Sequence, residues 1–317
     1  MRIAIVGAGA VGGYFGARLA AAGGDIAFLA RGAHGRALRR GGLRLVSPLG
    51  DLHLAPVRVL APGDRPDRPA ELVIVAVKMY DLEAAAAAMA PLVDENSLVL
   101  PLENGVEAAE LLAPRVAPAR LALGVAYIGG HIEAPGVIRH TGTLARLVFG
   151  PRDGTPAPAL DRLAALCRRA RIDHLQSSAM AVELWRKFVF LAPFAAITAF
   201  ARAPAGAVRA DPAHWARLVA LVEEAVAVGR ACGVPLAEDL VADRLALIRS
   251  LPPQMRSSML TDLEAGRPLE LDWLLGAVVR LGERAGVPTP VSRATLSALR
   301  PSAAREPAQP GGERTSR

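Results

Sequence analysis

The spacing of apolar residues changes character about halfway along the chain. In the first half, short continuous apolar runs are separated by glycine turns and Ala-rich stretches of helical period. Ile3 to Val6 leads into a glycine cluster, then an Ala-rich segment that stops at Gly23-Gly24, then a second apolar run from Ile26 to Ala30. The prediction is strand, tight turn, helix, strand. Leu72 to Val77 and Ser97 to Leu100 are apolar without alternation, as expected of strands covered on both faces. Leu43, Leu45, Leu52 and Leu54 alternate around Pro48-Leu49-Gly50, which predicts a hairpin within Gly41 to Val59. A helix is expected over Leu82 to Met89. Leu121 to Ile128, Val137 to His140 and Ala145 to Phe149 read as short strands, with turns at Gly129-Gly130, Pro135-Gly136 and Gly142. A helix over Ala159 to Arg169 and a short segment near His174 follow. From about Ala179 the period becomes helical throughout: Ala179–Ala201, Pro212–Cys232, Ala237–Ser250, Ser257–Ala265 and Leu271–Ala285. No internal repeat is visible.

The glycine cluster, Gly7-Ala8-Gly9-Ala10-Val11-Gly12, has the form G-x-G-x-x-G and sits between a predicted strand and a predicted helix. In that context it is a dinucleotide fingerprint. Gly7 permits the tight turn, Gly9 lets backbone approach a pyrophosphate, and Gly12 lets helix and strand pack. Ala10, Val11 and Gly12 open the helix, whose N-terminal N–H groups and dipole favour phosphate. The expected fold is therefore an α/β, Rossmann-type dinucleotide-binding domain over residues 1–178, then an all-α domain over 179–300. The tail, 301–317, is rich in Pro, Gly, Ser, Glu and Arg and is expected to be disordered.

NAD sites usually place an Asp or Glu at the end of the second strand, where it bonds the ribose 2′-hydroxyl. Here that strand ends Leu29-Ala30-Arg31-Gly32, and Asp25 lies at its opposite end. An arginine at that point suits a 2′-phosphate, so NADP(H) is the expected cofactor.

The chain has 317 residues, 52% of them hydrophobic and 4% aromatic, which allows two domains with real cores. The N-terminal apolar stretch is broken by glycines and reads as part of the fold, so no signal peptide is expected. Phe188 to Ala201 holds Pro193 and is too short for a bilayer, so no membrane span is expected and a cytoplasmic location follows. Cys167 and Cys232 are isolated thiols, and the six histidines show no ligand spacing, so no metal site is expected. The net charge of +7 comes from arginines interleaved with acids, without a basic tract, which argues against nucleic acid and suits small anions. The sequence leaves open whether the chain forms a homodimer.

One count changes the picture. Of 37 basic residues only Lys78 and Lys187 are lysines, and Asn96 and Asn104 are the only asparagines. Lysine can lose a proton when its surroundings shift its pKa, whereas arginine stays charged. Lys78 and Asn104 both fall just past the C-terminal ends of predicted strands, where open α/β sheets bind ligands.

The glycine fingerprint, Lys78, Glu103-Asn104-Gly105-Val106, Trp185-Arg186-Lys187, Arg256-Ser257-Ser258-Met259-Leu260 and Glu270-Leu271-Asp272 resemble, in order and spacing, the motifs of ketopantoate reductases. The resemblance covers about residues 1 to 300. It implies NADPH-dependent reduction of 2-dehydropantoate to (R)-pantoate, in a Rossmann domain joined to a helical domain with the active site in the cleft between. By that resemblance Lys187 is the catalytic general acid and Glu270 the acid that orients it or the substrate. Ser258 contacts the substrate carboxylate, Asn104 helps fix substrate and nicotinamide, and Lys78 lies near cofactor and substrate anion. Plainer roles exist for each: Ser257-Ser258 is also a helix-cap signal, Asn104-Gly105 a turn signal, and Glu270 a first-turn acid. Lys187 also suits the exposed face of an amphipathic helix.

The sequence departs from the family pattern at the asparagines four and eight residues after the catalytic lysine, which are Leu191 and Ala195 here. A third, upstream of Ser258, is Met255. Lys187, Leu191 and Ala195 share one helix face, so part of the expected substrate wall is apolar. A site lacking polar partners loses selectivity for a hydroxyl-bearing substrate. The expected substrate is therefore a 2-oxo acid, with 2-dehydropantoate first. The alternatives are a D-2-hydroxy acid dehydrogenase acting on apolar branched or aromatic 2-oxo acids, and a non-catalytic NADP(H) sensor.

Overall fold

A computed structural model of the chain describes residues 1–117 and 120–303; most of the expected disordered tail, 304–317, lies outside the described residues. The chain divides into two units, Met1–Leu184 and the remainder from Trp185.

The first unit contains β1 (Arg2–Val6), α1 (Ala10–Ala21), β2 (Asp25–Leu29), α2 (Gly32–Gly41), β3 (Leu43–Val46), β4 (Leu52–Leu54), β5 (Arg58–Leu60) and β6 (Leu72–Val75). It continues with α3 (Leu82–Met89), β7 (Leu98–Pro101), α4 (Ala108–Leu112), β8 (Ala122–Ala134), β9 (Val137–Pro151), α5 (Pro158–Arg169) and β10 (Asp173–Gln176). Two sheets form. One is wholly parallel, in the order β5-β2-β1-β6-β7. Both β6 and the edge strand β7 are buried along their whole length, which explains why Leu72 to Val75 and Leu98 to Pro101 carry no alternation. In the other, β9 pairs with β8 along one edge and with β3 and β10 in succession along the opposite edge, while β4 pairs antiparallel with β3 as the predicted hairpin.

Helix α1 contributes to the core on several sides at once. Tyr14, Phe15, Ala17 and Leu19 are buried together with Ile5 and Phe28 of the parallel sheet and Ile138 and Leu147 of β9. A Cβ on Gly16 would lie 2.5 Å from the Phe28 ring, and one on Gly13 would lie 2.9 Å from Ile138. The helix is thus held at backbone distance by both sheets, and its glycines serve packing.

Two expectations about this unit fail. Gly129-Gly130 is not a turn. β8 continues through it to Ala134, and β9 is a single strand from Val137 to Pro151 rather than two. The pairing shifts register between Ile128 and Gly129, so Ile128 faces Ala145 while Gly129 faces Thr141. The glycines allow close strand contact, since a Cβ on Gly130 would be 2.7 Å from the Arg139 carbonyl. Turn-like residues inside a long ribbon read as breaks because the pairing partner is invisible in sequence.

The second unit is helical: α6 (Met180–Ala201), α7 (Ala205–Ala210), α8 (Pro212–Ala231), α9 (Leu240–Ser250), α10 (Ser258–Glu264), α11 (Leu275–Ala285) and α12 (Pro290–Ala303). The division between units falls inside α6, whose Met180 packs with Val125 and Val148 of the first unit's ribbon. Trp185 packs against Gly229 of α8, where a Cβ would lie 2.6 Å from the indole. Helix α11 starts at Leu275 rather than Leu271, because Trp273 and Leu274 N–H groups turn back onto the Glu270 carbonyl. Helix α12 was not anticipated and carries the chain to Ala303, so residues 301–303 are helical rather than disordered. Its N-terminus is capped from a distance: the Glu224 carboxylate accepts from Val291 and Ser292 N–H groups at 2.8 Å each.

Helix α6 also corrects the expectation that its apolar segment is too short to span a bilayer. At 22 residues it passes that test of length and composition, and 61% of the apolar window is buried. The burial of Phe188, Val189, Ala192 and Phe194 through Thr198 marks it as a core helix of the folded chain.

Candidate active site

The parallel sheet reverses its winding between β1 and β6, and the C-terminal crevice at such a point is where open α/β sheets take ligands. The glycine turn lies there. Gly7 has φ +95°, and a Cβ would stand 2.7 Å from the Ala76 carbonyl oxygen and 2.8 Å from Val77. A Cβ on Gly12 would meet the Gly7 carbonyl at 2.1 Å and Ile5 at 2.8 Å. Gly9 differs: a Cβ there would have no atom within 4 Å. Two glycines are therefore required by protein packing, and the third faces open space. The first turn of α1 carries no acid and Gly9 supplies no side-chain cap, so the helix itself places no carboxylate against its positive dipole end. The residues present fit a dinucleotide pyrophosphate.

Arg31 follows β2 and occupies the cap position of α2, well exposed. Its guanidinium is paired with the Asp81 carboxylate at 2.6 Å. Asp81 closes the short turn Met79–Asp81 that follows Lys78, and its partnership with Arg31 was not anticipated. The two lie fifty residues apart in sequence, and only the adjacency of β2, β1 and β6 brings them together. Asp25 is at the far end of β2, where it pairs with Arg2 at 3.2 Å.

Lys78 and Asn104 are half-buried and follow β6 and β7, as expected. The loops carrying them are joined: the Val77 N–H donates to the Glu103 carboxylate at 3.2 Å, and Glu103 is buried. The sequence motif contained Glu103 without showing this tie between the two strand ends.

In the second unit, α6 presents Lys187, Leu191 and Ala195 at four-residue spacing. Lys187 and Leu191 are half-buried and Ala195 is fully buried. Burial pushes the Lys187 ammonium down to about 8, and the charge of Glu270 opposes that shift. Glu270 is itself buried, at the turn that leads into α11. The fold thus brings a lysine and a glutamate 83 positions apart into electrostatic contact.

The tandem serines have separate roles. Ser257 caps α10, accepting from the Leu260 N–H at 3.0 Å, and shares a 2.6 Å hydrogen bond with Thr198 of α6. Thr198 is fully buried, eleven residues after Lys187 and on the same helix face, and its hydroxyl donates to the Phe194 carbonyl at 2.8 Å. The sequence reading did not single it out; the available signal was a hydroxyl residue eleven positions after the lysine, on the same helix face. Ser258 is exposed at the start of α10, and Met255 lies exposed in the preceding loop.

A glycine turn at the switch point of a parallel sheet defines a Rossmann-type dinucleotide-binding unit, here followed by a helical one. Comparison with known proteins narrows the class. Residues 3–154 match the profile described as ketopantoate reductase PanE/ApbA, and residues 179–303 match the C-terminal profile of the same family. A 2-dehydropantoate 2-reductase of Mesorhizobium japonicum is 32% identical over 321 residues, covering 95% of this chain and 97% of the relative. The crystal structure of 2-dehydropantoate 2-reductase from Geobacter metallireducens superposes with TM-score 0.87 at 29% identity, covering 95% of this chain and all of that one. D-Mandelate dehydrogenase in a ternary structure with NADH and anilino(oxo)acetate shares the fold, with TM-score 0.87 at 20% identity over 96% of this chain and 98% of that one. The chain belongs to the ketopantoate reductase family.

The division between the serines is testable by thermal unfolding. Ser257→Ala removes a cap and the partner of a buried hydroxyl, and is expected to cost ~1–2 kcal/mol. Ser258→Ala, at an exposed position, is expected to stay within ~0.5 kcal/mol of the parent. Equal melting temperatures for the two variants would refute the assignment.

Proposed function

We propose that the protein reduces a 2-oxo acid to a 2-hydroxy acid with NADPH, and that the substrate is 2-dehydropantoate, giving (R)-pantoate. The observation that carries this reading is the Lys187 ammonium, which burial holds near pH 8 beside Glu270. A general acid works best when its pKa lies near the working pH. Bound dinucleotide supplies the hydride that reaches the carbonyl carbon. Lys187 gives its Nζ proton to the carbonyl oxygen as the C=O bond becomes C–OH, and is left as the neutral amine. Glu270 keeps the ammonium charged and oriented until that transfer. Ser258 and Asn104 hold the substrate, and Lys78 answers the anionic charge of substrate and cofactor. Leu191 and Ala195 line the wall beside the substrate side chain. Gly7, Gly9, Ala10, Val11 and Gly12 take the pyrophosphate, and Arg31 the 2′-phosphate. The net charge of +7 also favours an anionic substrate and cofactor.

A second reading keeps the chemistry and changes the substrate. Leu191 and Ala195 put hydrocarbon on the Lys187 face, which favours an apolar branched or aromatic 2-oxo acid. The likeness of fold to D-mandelate dehydrogenase fits that reading equally well.

Lys187→Ala is expected to lower kcat by about 10²–10⁴-fold while cofactor affinity is kept. Unchanged turnover would leave the chain a dinucleotide binder without this mechanism. In the parent, kcat for reduction is expected to fall as pH rises through about 8, because the acid form of Lys187 is lost. Initial rates of dinucleotide oxidation with 2-dehydropantoate, 2-oxoisovalerate and phenylglyoxylate decide between the two substrates. The highest kcat/KM is expected for 2-dehydropantoate, and a preference for either of the others would transfer the assignment to the second reading. Arg31→Ala is expected to weaken NADPH by roughly tenfold or more through loss of a charge-assisted bond, and NADH much less. Its exposed pair with Asp81 stabilises the fold by only ~0–1 kcal/mol, so the variant should fold. Equal losses for the two dinucleotides would exclude the 2′-phosphate role.

A further inference from the structure

His34, half-buried in the first turn of α2, makes two hydrogen bonds that neither the fingerprint nor the proposed chemistry uses. Its Nε2 lies 2.9 Å from the carbonyl oxygen of Ala8, the residue between Gly7 and Gly9. Its Nδ1 lies 3.1 Å from the backbone nitrogen of Gly136, whose N–H donates to the ring. A carbonyl can only accept and an amide N–H can only donate. The ring is therefore the neutral tautomer with its proton on Nε2.

The two groups so joined belong to different sheets. Ala8 is buried and sits in the glycine turn after β1. Gly136 is the turn between β8 and β9, with φ +87°, and its carbonyl accepts from the Arg44 N–H of β3 at 2.9 Å. One imidazole thus ties the pyrophosphate-binding turn to the tip of the second sheet's ribbon.

We propose that His34 is a positioning residue for the dinucleotide: as a neutral clamp it fixes the Gly7–Gly9 turn, and its protonation releases that turn and weakens cofactor binding. The proposal rests on reading the first unit as the dinucleotide site. A second ring proton would sit on Nδ1, pointing at the Gly136 N–H, so two donors would face each other and one bond must break. Burial lowers the His34 pKa from its ordinary value, the bond to Ala8 partly offsetting this, so the neutral clamp is favoured at neutral pH and opens as the solution is acidified. Ionisable groups on the surrounding elements include Arg31 at the cap of α2, Arg36, Arg39 and Arg40 on α2, Arg44 on β3, Arg58 on β5, and His131, Glu133, Arg139 and His140 on the β8–β9 ribbon. Glu133 and Arg139 are paired with each other at 2.6 Å. None of these is a cause of the shift.

The test is fluorescence titration of NADH and NADPH into the full-length protein from pH 8 to pH 5, for the parent, His34→Gln and His34→Ala. NADH is needed because the 2′-phosphate of NADPH titrates on its own. For the parent, NADH affinity should fall with pH by on the order of five- to tenfold, the worth of one hydrogen bond to a buried group. His34→Ala should bind both dinucleotides that much more weakly at pH 8. His34→Gln, which keeps a donor, should lie nearer the parent at pH 8, and neither variant should show the parent's fall with pH. Identical NADH profiles for parent and both variants would overturn the proposal. A separate readout needs no cofactor: the ¹⁵N shifts of the His34 ring at pH 7.5 should report protonated Nε2 and bare Nδ1. An Nδ1–H tautomer or an imidazolium would overturn the clamp while leaving the functional reading intact. Failure of the parent to bind either dinucleotide would overturn both.

Discussion

The first unit is built around a contact that forbids a side chain. Backbone of the β1–α1 turn lies against the end of β6, so that a single methyl at Gly7 would sit 2.7 Å from the Ala76 carbonyl. Ala76 and Val77 in turn lead directly to Lys78, and Val77 is tied to Glu103, which precedes Asn104. One close approach therefore sets the position of the glycine turn relative to the loops after β6 and β7. The same tightness extends down α1, held at backbone distance from Phe28 on one side and Ile138 on the other. A helix gripped on two sides cannot drift, and its N-terminus keeps its aim. The second sheet thus supports the dinucleotide end, and the His34 bonds continue that support into the turn itself.

The second unit solves a different problem, that of keeping an ammonium in poor solvent without losing its proton altogether. Burying a charge is costly unless it is paired. The charge of Glu270 opposes the desolvation, and the balance leaves the Lys187 pKa at about 8. The rest of that helix face is hydrocarbon at Leu191 and Ala195, then a buried hydroxyl at Thr198 satisfied by Ser257 and the Phe194 carbonyl.

Most of the architecture was legible in the chain because the relevant signals are local. Fully covered strands appear as continuous apolar runs, the fingerprint appears as glycines at fixed intervals, and the scarcity of lysine points to Lys78 and Lys187 before any fold is drawn. The misread places share one cause. The Gly129-Gly130 break vanished because β8 has a partner strand, and α12 begins where Glu224 of α8 caps it. Asp81 answers Arg31 only because β2 and β6 both flank β1. Periodicity reports what one segment buries; it carries no record of which distant segment does the covering.

By itself, then, the sequence determined a dinucleotide turn and a helical second half, and singled out Lys187 by the scarcity of lysine. The first two depend on residue types a few positions apart, and backbone sterics and side-chain chemistry act at that range. Tertiary structure decided the downward shift of the Lys187 pKa, which of two serines caps α10, and the tautomer of His34. Each of these depends on desolvation or on a hydrogen-bond partner tens of residues away, and only the folded chain supplies either.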